Sequence, residues 1–252
     1  MISVLNINTT VKMASVNEIL IRLNLSKRDL NNVSLSQLRT IFQDLTVKEI
    51  SKLCVISKRF NSICKDESFW RNKVSDDYGI HKKYGNTWRQ TAIVMNKVDM
   101  INLNNVWIGG RTYKEILDDT LLNGAHFILD LQNSYLLPLA NNSANDTNEL
   151  QYHTRNDDTE LQDFANEVLH RDYTDDELND IYYIRNREIN VIYATVLTYK
   201  GEGLYLPGDT IENTTTGTAL PSYEFIREMI DPMFYMMQFS SFSIDRLAEV
   251  SY

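Results

Sequence analysis

The sequence predicts a mixed α+β fold, with a helical N-terminal unit over residues 1–97 followed by an α+β domain with a small antiparallel sheet over 98–252. Three observations predict it. Residues 1–97 hold 16 Lys+Arg against 8 Asp+Glu and 98–252 hold 9 against 26, so the net charge of -9 joins a basic unit to a strongly acidic one. Apolar residues recur at helical spacing through 34–77. The stretch EINVIYATVLTYKGEGLYLPGD, residues 188–209, sets β-branched and aromatic residues on both sides of Gly201 and Gly203, which reads as a strand pair.

In the N-terminal unit the helices are found by their start signals. Ser34 precedes LSQLRTIFQDL, where Leu35, Leu38, Ile41, Phe42 and Leu45 share one face. Thr46-Val-Lys-Glu49 is a capping-box pattern, in which hydroxyl and carboxylate each satisfy a free backbone amide. The helix it opens carries Ile50, Leu53, Ile56, Phe60 and Ile63 inward and Lys48, Lys52 and Arg59 outward. Asp66 caps a third helix with Phe69, Trp70 and Val74, expected to end before Tyr78-Gly79. Cys54 and Cys64 lie ten apart in this helical region, so a bridge would distort it, and they read as reduced thiols of an intracellular protein.

In the acidic domain Thr112-Tyr-Lys-Glu115 is another capping box, stopped at Asn123-Gly124 and followed by HFILDL, 126–131, read as a strand. Residues 141–160, with almost no apolar side chains, read as a long mobile loop. Helices follow from Thr159 and from Thr174 with Glu177, then the strand pair, then a helix capped by Ser222 and a last turn or two at IDRLAEV.

Residues 48–70, KEISKLCVISKRFNSICKDESFW, admit two functions. As a DNA-binding helix-turn-helix they would need a tight turn near Cys54-Val55, where Gly is favoured; Val55 is β-branched and no Gly occurs in 1–78. The acidic remainder would also repel phosphate, so nucleic acid is not the expected partner. Read over Leu45, Glu49, Ile50, Leu53, Ile56, Ser57, Lys58, Arg59, Phe60, Asp66, Ser68, Phe69 and Trp70, the stretch resembles the F-box, a small helical motif that docks onto an adaptor. The motif would occupy about 34–77, and its extension DYGIHKKYGNTWRQ resembles those of F-box proteins encoded by giant DNA viruses. The family's usual Leu-Pro opening falls on Val33 and Ser34. Residues 15–30 also resemble an F-box opening, with LSKRDL at 25–30 echoing LTVKEI at 45–50. Either an extra helix precedes the motif or the motif carries an insertion.

The resemblance implies an interaction module and no catalysis: a substrate receptor linking a Skp-type adaptor and a cullin ubiquitin ligase to a target held by 98–252. Leu38, Phe42, Leu45, Ile50 and Val55 are the candidate adaptor contacts by helix-in-groove association, and Leu53, Ile56, Phe60, Ile63 and Trp70 the motif core. The alternative is a virion structural or scaffolding protein with an F-box-like fold and no ligase role.

No enzyme motif stands against this reading. His81, His126, His153 and His170 are scattered without ligand spacing, and Gly109-Gly110 and Gly201-x-Gly203 are isolated, so no metal, cofactor or catalytic residue is expected. Tyr182, Tyr183, Tyr193, Tyr199 and Tyr205 read as core or interface aromatics. No apolar run approaches a membrane span, and no signal peptide is visible. The expected location is intracellular, in the cytoplasm of an infected host cell or, for the scaffold, in the virion.

Overall fold

The computed structural model describes residues 15–24, 26, 32–153, 158–184, 186–201 and 231–248. It divides into two compact units, one to Asn96 and one from Lys97.

In the first unit nearly every helix starts where a side chain takes over the free amides. Helix α1 (Val16–Arg22) and α2 (Leu35–Gln43) begin at capping boxes formed by Ser15 with Glu18 and by Ser34 with Gln37. Helix α3 (Val47–Leu53) begins at the Thr46 box, where the Glu49 amide donates to Thr46 Oγ1 at 3.3 Å and the Thr46 amide donates to the Glu49 carboxylate at 3.0 Å. Ser57 caps α4 (Lys58–Cys64) and Asp66 caps α5 (Glu67–Tyr78). Gly79 closes α5 in the left-handed region, φ 67°, which a Cβ would strain. Helix α6 (Trp88–Lys97) is capped locally by Thr87, whose hydroxyl accepts the Gln90 amide at 3.0 Å, and from a distance by Glu67, which accepts the Trp88 amide at 2.7 Å.

Packing converts these stripes into one core. Phe42 meets Phe60 at 5.4 Å and Phe69 at 6.2 Å between ring centres, and Phe69 stands edge-on to Trp70 at 5.2 Å. The Trp70 indole N–H donates to the Cys64 carbonyl at 2.9 Å, so the large apolar ring is buried without orphaning its polar atom. Lys73 is also buried; its ammonium donates to the Gln43 carbonyl at 2.7 Å and to Asp77 at 2.9 Å, tying α5 to the end of α2. Burial pushes the Asp77 carboxyl up, against the pull of that ammonium.

The two cysteines are joined, which corrects the reading of reduced thiols: Cys54 and Cys64 form a disulfide with their Cα atoms 5.9 Å apart. Ten residues of unbroken helix would hold them about 15 Å apart. Residues 54–56 form a turn instead, and α4 folds back so that its last residue returns to the end of α3.

The second unit overturns the α+β expectation. Among the described residues there is no strand or sheet, and the fold is nearly all helical; the only pairing of extended backbone is an isolated bridge between Val106 and Thr112. Helices run α7 (Tyr113–Asn123), α8 (His126–Leu136), α9 (Ala144–His153), α10 (Asp158–Leu169), α11 (Asp175–Ile184), α12 (Arg187–Lys200), α13 (Pro232–Ser240) and α14 (Ile244–Ala248).

HFILDL lies within α8, whose buried Ile128, Gln132 and Leu136 follow a spacing of four. The first half of the expected strand pair is α12, packed by α7, α13 and α14. Residues 191–197 are all buried, so neither period 2 nor period 3.6 is visible in the sequence, and β propensity yields to packing around the whole helix. Gly201, read as a hairpin residue, caps α12 with φ 81°. The second half of that pair and the helix after Ser222 lie outside the described residues. Within the expected loop, Ser143 receives the Asp146 amide, and α9 buries Thr147 and Leu150, two inward positions the polar composition hides.

Candidate functional site

The α3–α4 turn carries Val55, which among the candidate contacts is the exposed one. Its backbone is right-handed at Cys54, φ -55°, and the Ile56 amide donates to the Leu53 carbonyl at 3.0 Å. Val55 stands at the apex, 85% exposed. Beside it opens a cleft of about 460 Å³ lined by Ile56, Ser57, Lys58, Asn61 and Arg89, so the apolar apex has a polar, basic flank. Val55 is one of several singly exposed apolar side chains of this unit, with Ile21, Leu35 and Ile93, and isolated exposure of this kind is ordinary on a protein surface.

The other candidate contacts are placed differently. Leu38, Phe42, Leu45 and Ile50 are each at most 1% exposed, inside the unit's own core. Leu53, Phe60, Ile63 and Trp70 are buried with them, and Ile56 is half-buried at the cleft. Periodicity marked these residues as apolar-face positions, but periodicity does not distinguish a face turned to a partner from one turned to the next helix. Ile21 at 76% and Leu35 at 48% are exposed apolar residues that sequence reasoning did not nominate. Leu35 opens the apolar stripe of α2, whereas Ile21 lies off the face of α1 that buries Ile19 and Leu20.

Ion pairs tie helices of this unit to one another. Glu49 is almost buried on α3; burial works against its charge, yet the Arg22 guanidinium at 2.9 Å and the Thr46 cap hold its carboxyl below the usual range. That ion pair fastens α1 to α3. Arg39 pairs with Asp66, linking α2 to the cap of α5.

The second unit has a groove of about 970 Å³. Met100, Ile101 and Ile244 give it an apolar lining, with Tyr182 and Tyr183 along one wall and the amides of Asn102, Asn179 and Asn186 among them. Arg187 pairs with Asp99 at 3.0 Å. Of the tyrosines, Tyr193 is buried, Tyr199 stands edge-on to Tyr235 at 6.5 Å, and Tyr183 is 40% exposed with its hydroxyl donating to the Val106 carbonyl at 2.8 Å. Tyr205 lies outside the described residues. Among the described residues no cluster of His, Cys, Asp and Glu could hold a metal ion, and no helix is long and apolar enough to cross a membrane. His153 sits between Glu149 at 3.7 Å and Glu160 at 3.5 Å, joining α9 to α10.

The F-box domain family model matches residues 38–72, from the first buried leucine of α2 into α5, so this stretch carries an F-box domain. No curated protein and no solved structure matches the chain significantly. The match bears no sign of a giant-virus source, so the extension at 78–90 carries no argument about origin. F-box domains are interaction modules rather than catalytic ones and bind Skp-type adaptors, typically in cullin ubiquitin-ligase complexes.

Proposed function

We propose that this protein is an intracellular substrate receptor, in which the first unit docks a Skp-type adaptor of a cullin ubiquitin ligase and the second holds a target. The observation that carries this reading is the F-box match at 38–72 together with the 85% exposure of Val55 at its central turn. Val55 makes the direct contact, and Leu38, Phe42, Leu45 and Ile50, buried behind it, set the turn's position. Catalysis is left to the ligase: the receptor raises the concentration of target beside it. The groove of the second unit, with its apolar lining and amide groups, is the candidate target surface.

Calorimetry of the full chain against a Skp-type adaptor tests the reading. Burying one valine side chain is worth about 1.5–3 kcal/mol, so Val55→Asp is expected to weaken binding by roughly 10- to 100-fold. Because Val55 is 85% exposed, the variant is expected to keep its helical circular dichroism. Unchanged affinity in the folded variant would remove Val55 from the interface.

The burial of Leu38, Phe42, Leu45 and Ile50 supports a second reading, a scaffolding protein that keeps the helical fold without the adaptor. A folded wild-type chain that ignores the adaptor and elutes as a stable homo-oligomer would favour it.

A further inference from the structure

We propose that the Cys54–Cys64 disulfide is a reversible redox latch on the α3–α4 turn, closed by oxidation and opened by reduction; as a control on adaptor docking, it rests on the function proposed above. The bridge joins the C-terminal ends of α3 and α4 and encloses residues 54–64 in a covalent ring. Val55 is inside that ring, one residue from Cys54, and its exposure leaves the turn without side-chain packing of its own at the apex. Across the turn the backbone is joined by the Ile56 amide to the Leu53 carbonyl and by the Phe60 amide to the Ser57 hydroxyl at 3.1 Å. The sulfurs thus add one covalent tie to these hydrogen bonds and to the buried Leu53 and Phe60 that flank the turn.

The unit does not depend on the bridge in the same way. The Cys54 amide donates to the Ile50 carbonyl at 2.9 Å, and the Cys64 carbonyl accepts the Trp70 indole, so both backbones stay anchored when the sulfurs part. Phe42, Phe60, Phe69 and Trp70 pack on one another through ring contacts that involve neither sulfur. Reduction is thus a local loosening of residues 54–57 rather than an unfolding.

Access favours one sulfur. Cys54, though only 4% exposed, lines the cleft beside Val55, whereas Cys64 is fully buried, so attack at Cys54 follows a local opening of the turn. A small thiolate such as glutathione attacks Cys54 Sγ, forms a mixed disulfide and expels Cys64 as a thiolate, which takes a proton from water. A second glutathione thiolate attacks the glutathione sulfur, frees Cys54 and leaves as glutathione disulfide. The net change is two glutathione thiols oxidised and one protein disulfide reduced to two thiols. Closing the latch is the same sequence reversed, with glutathione disulfide as oxidant.

The test uses the full chain equilibrated in glutathione/glutathione disulfide mixtures. Intact mass after alkylation reports the bridge, circular dichroism reports the fold, and amide hydrogen exchange reports residues 54–57. The latch requires a bridge that opens and closes with the glutathione ratio, unchanged helicity, and exchange at 54–57 at least severalfold faster when reduced. Cys54→Ser with Cys64→Ser removes the redox dependence and keeps the reduced-state exchange. Preorganising the turn favours association, so reduction is expected to weaken adaptor binding by roughly 2- to 10-fold. A bridge that never forms, one that glutathione cannot open in the folded chain, or reduction that abolishes helicity would each overturn the latch. Exchange that responds to redox while neither form binds the adaptor upholds the latch and defeats the docking function alone.

Discussion

Replacing Trp70 by alanine removes the largest fully buried side chain of the first unit at the point where α4, α5 and the aromatic cluster meet. Two losses combine: the transfer free energy of the indole with the cavity it leaves, about 3–5 kcal/mol for a core Trp→Ala, and the hydrogen bond to the Cys64 carbonyl, which leaves a buried acceptor unpaired. Trp70→Phe separates them. It retains most of the packing and forfeits the hydrogen bond, so the expected cost falls to about 1–3 kcal/mol. Against a total near 5–15 kcal/mol for a small domain, the alanine variant leaves the unit close to unfolding. Urea titration of the full chain, followed by far-ultraviolet circular dichroism, is expected to show the transition of the first unit moving to lower urea in the order wild type, Trp70→Phe, Trp70→Ala. The transition of residues 97–252 should stay in place. A Trp70→Ala cost below about 1 kcal/mol would refute the reasoning, because no relaxation of a close-packed core hides a void of indole size so cheaply.

Lys73→Met keeps the stem packed while leaving the Gln43 carbonyl and the partly buried Asp77 without their cation, and is expected to cost about 2 kcal/mol. Asp77→Asn in the same background should recover part of that loss in a double-mutant urea series; no coupling would mean the pair is incidental. In the second unit, the Arg171 guanidinium and the Thr174 cap hold Glu177 down at about 2. A carboxyl depressed in the folded state contributes stability that is present in full above its unfolded value, near 4.3, and is lost as pH falls through the folded value. Denaturation curves at pH 7, 4, 3 and 2 should therefore show wild type losing an increment, about 1 kcal/mol for so open a pair, that Glu177→Gln never had. Equal pH profiles for the two proteins would disprove the linkage.

What was legible and what was not divides by the range of the interaction. The Thr46, Thr112 and Thr174 caps join residues three apart, so a reader of the chain sees both partners, and the helices stand where those signals put them. The match at 38–72 is legible for a related reason: its residues are close in sequence and their order is specific. The apex valine was nominated as an apolar residue among basic ones, and its exposure follows from the turn it occupies.

Periodicity failed where burial is uniform. From 191 to 197 every residue of α12 is inside, and a run of Val, Ile, Tyr and Thr without a polar face is equally consistent with a buried strand and a buried helix. Gly201 could not arbitrate, because a hairpin and a helix end both use its freedom at positive φ. Segment 141–160 failed in the opposite sense: Thr147 and Leu150 are buried positions of α9, but among so many Asn and Asp residues they leave no visible stripe.

By itself the sequence determined the helix starts at Ser34, Thr46, Asp66, Thr112 and Thr174, the basic and acidic division, and the interaction motif, since each is written in neighbouring residues or in composition. Only the tertiary structure decided that α12 is a helix, that Leu38, Phe42, Leu45 and Ile50 face inward while Val55 faces water, and that Cys54 meets Cys64. These outcomes depend on which surfaces come together across many residues of chain, and a linear pattern records the size and polarity of a side chain but not the neighbour that covers it.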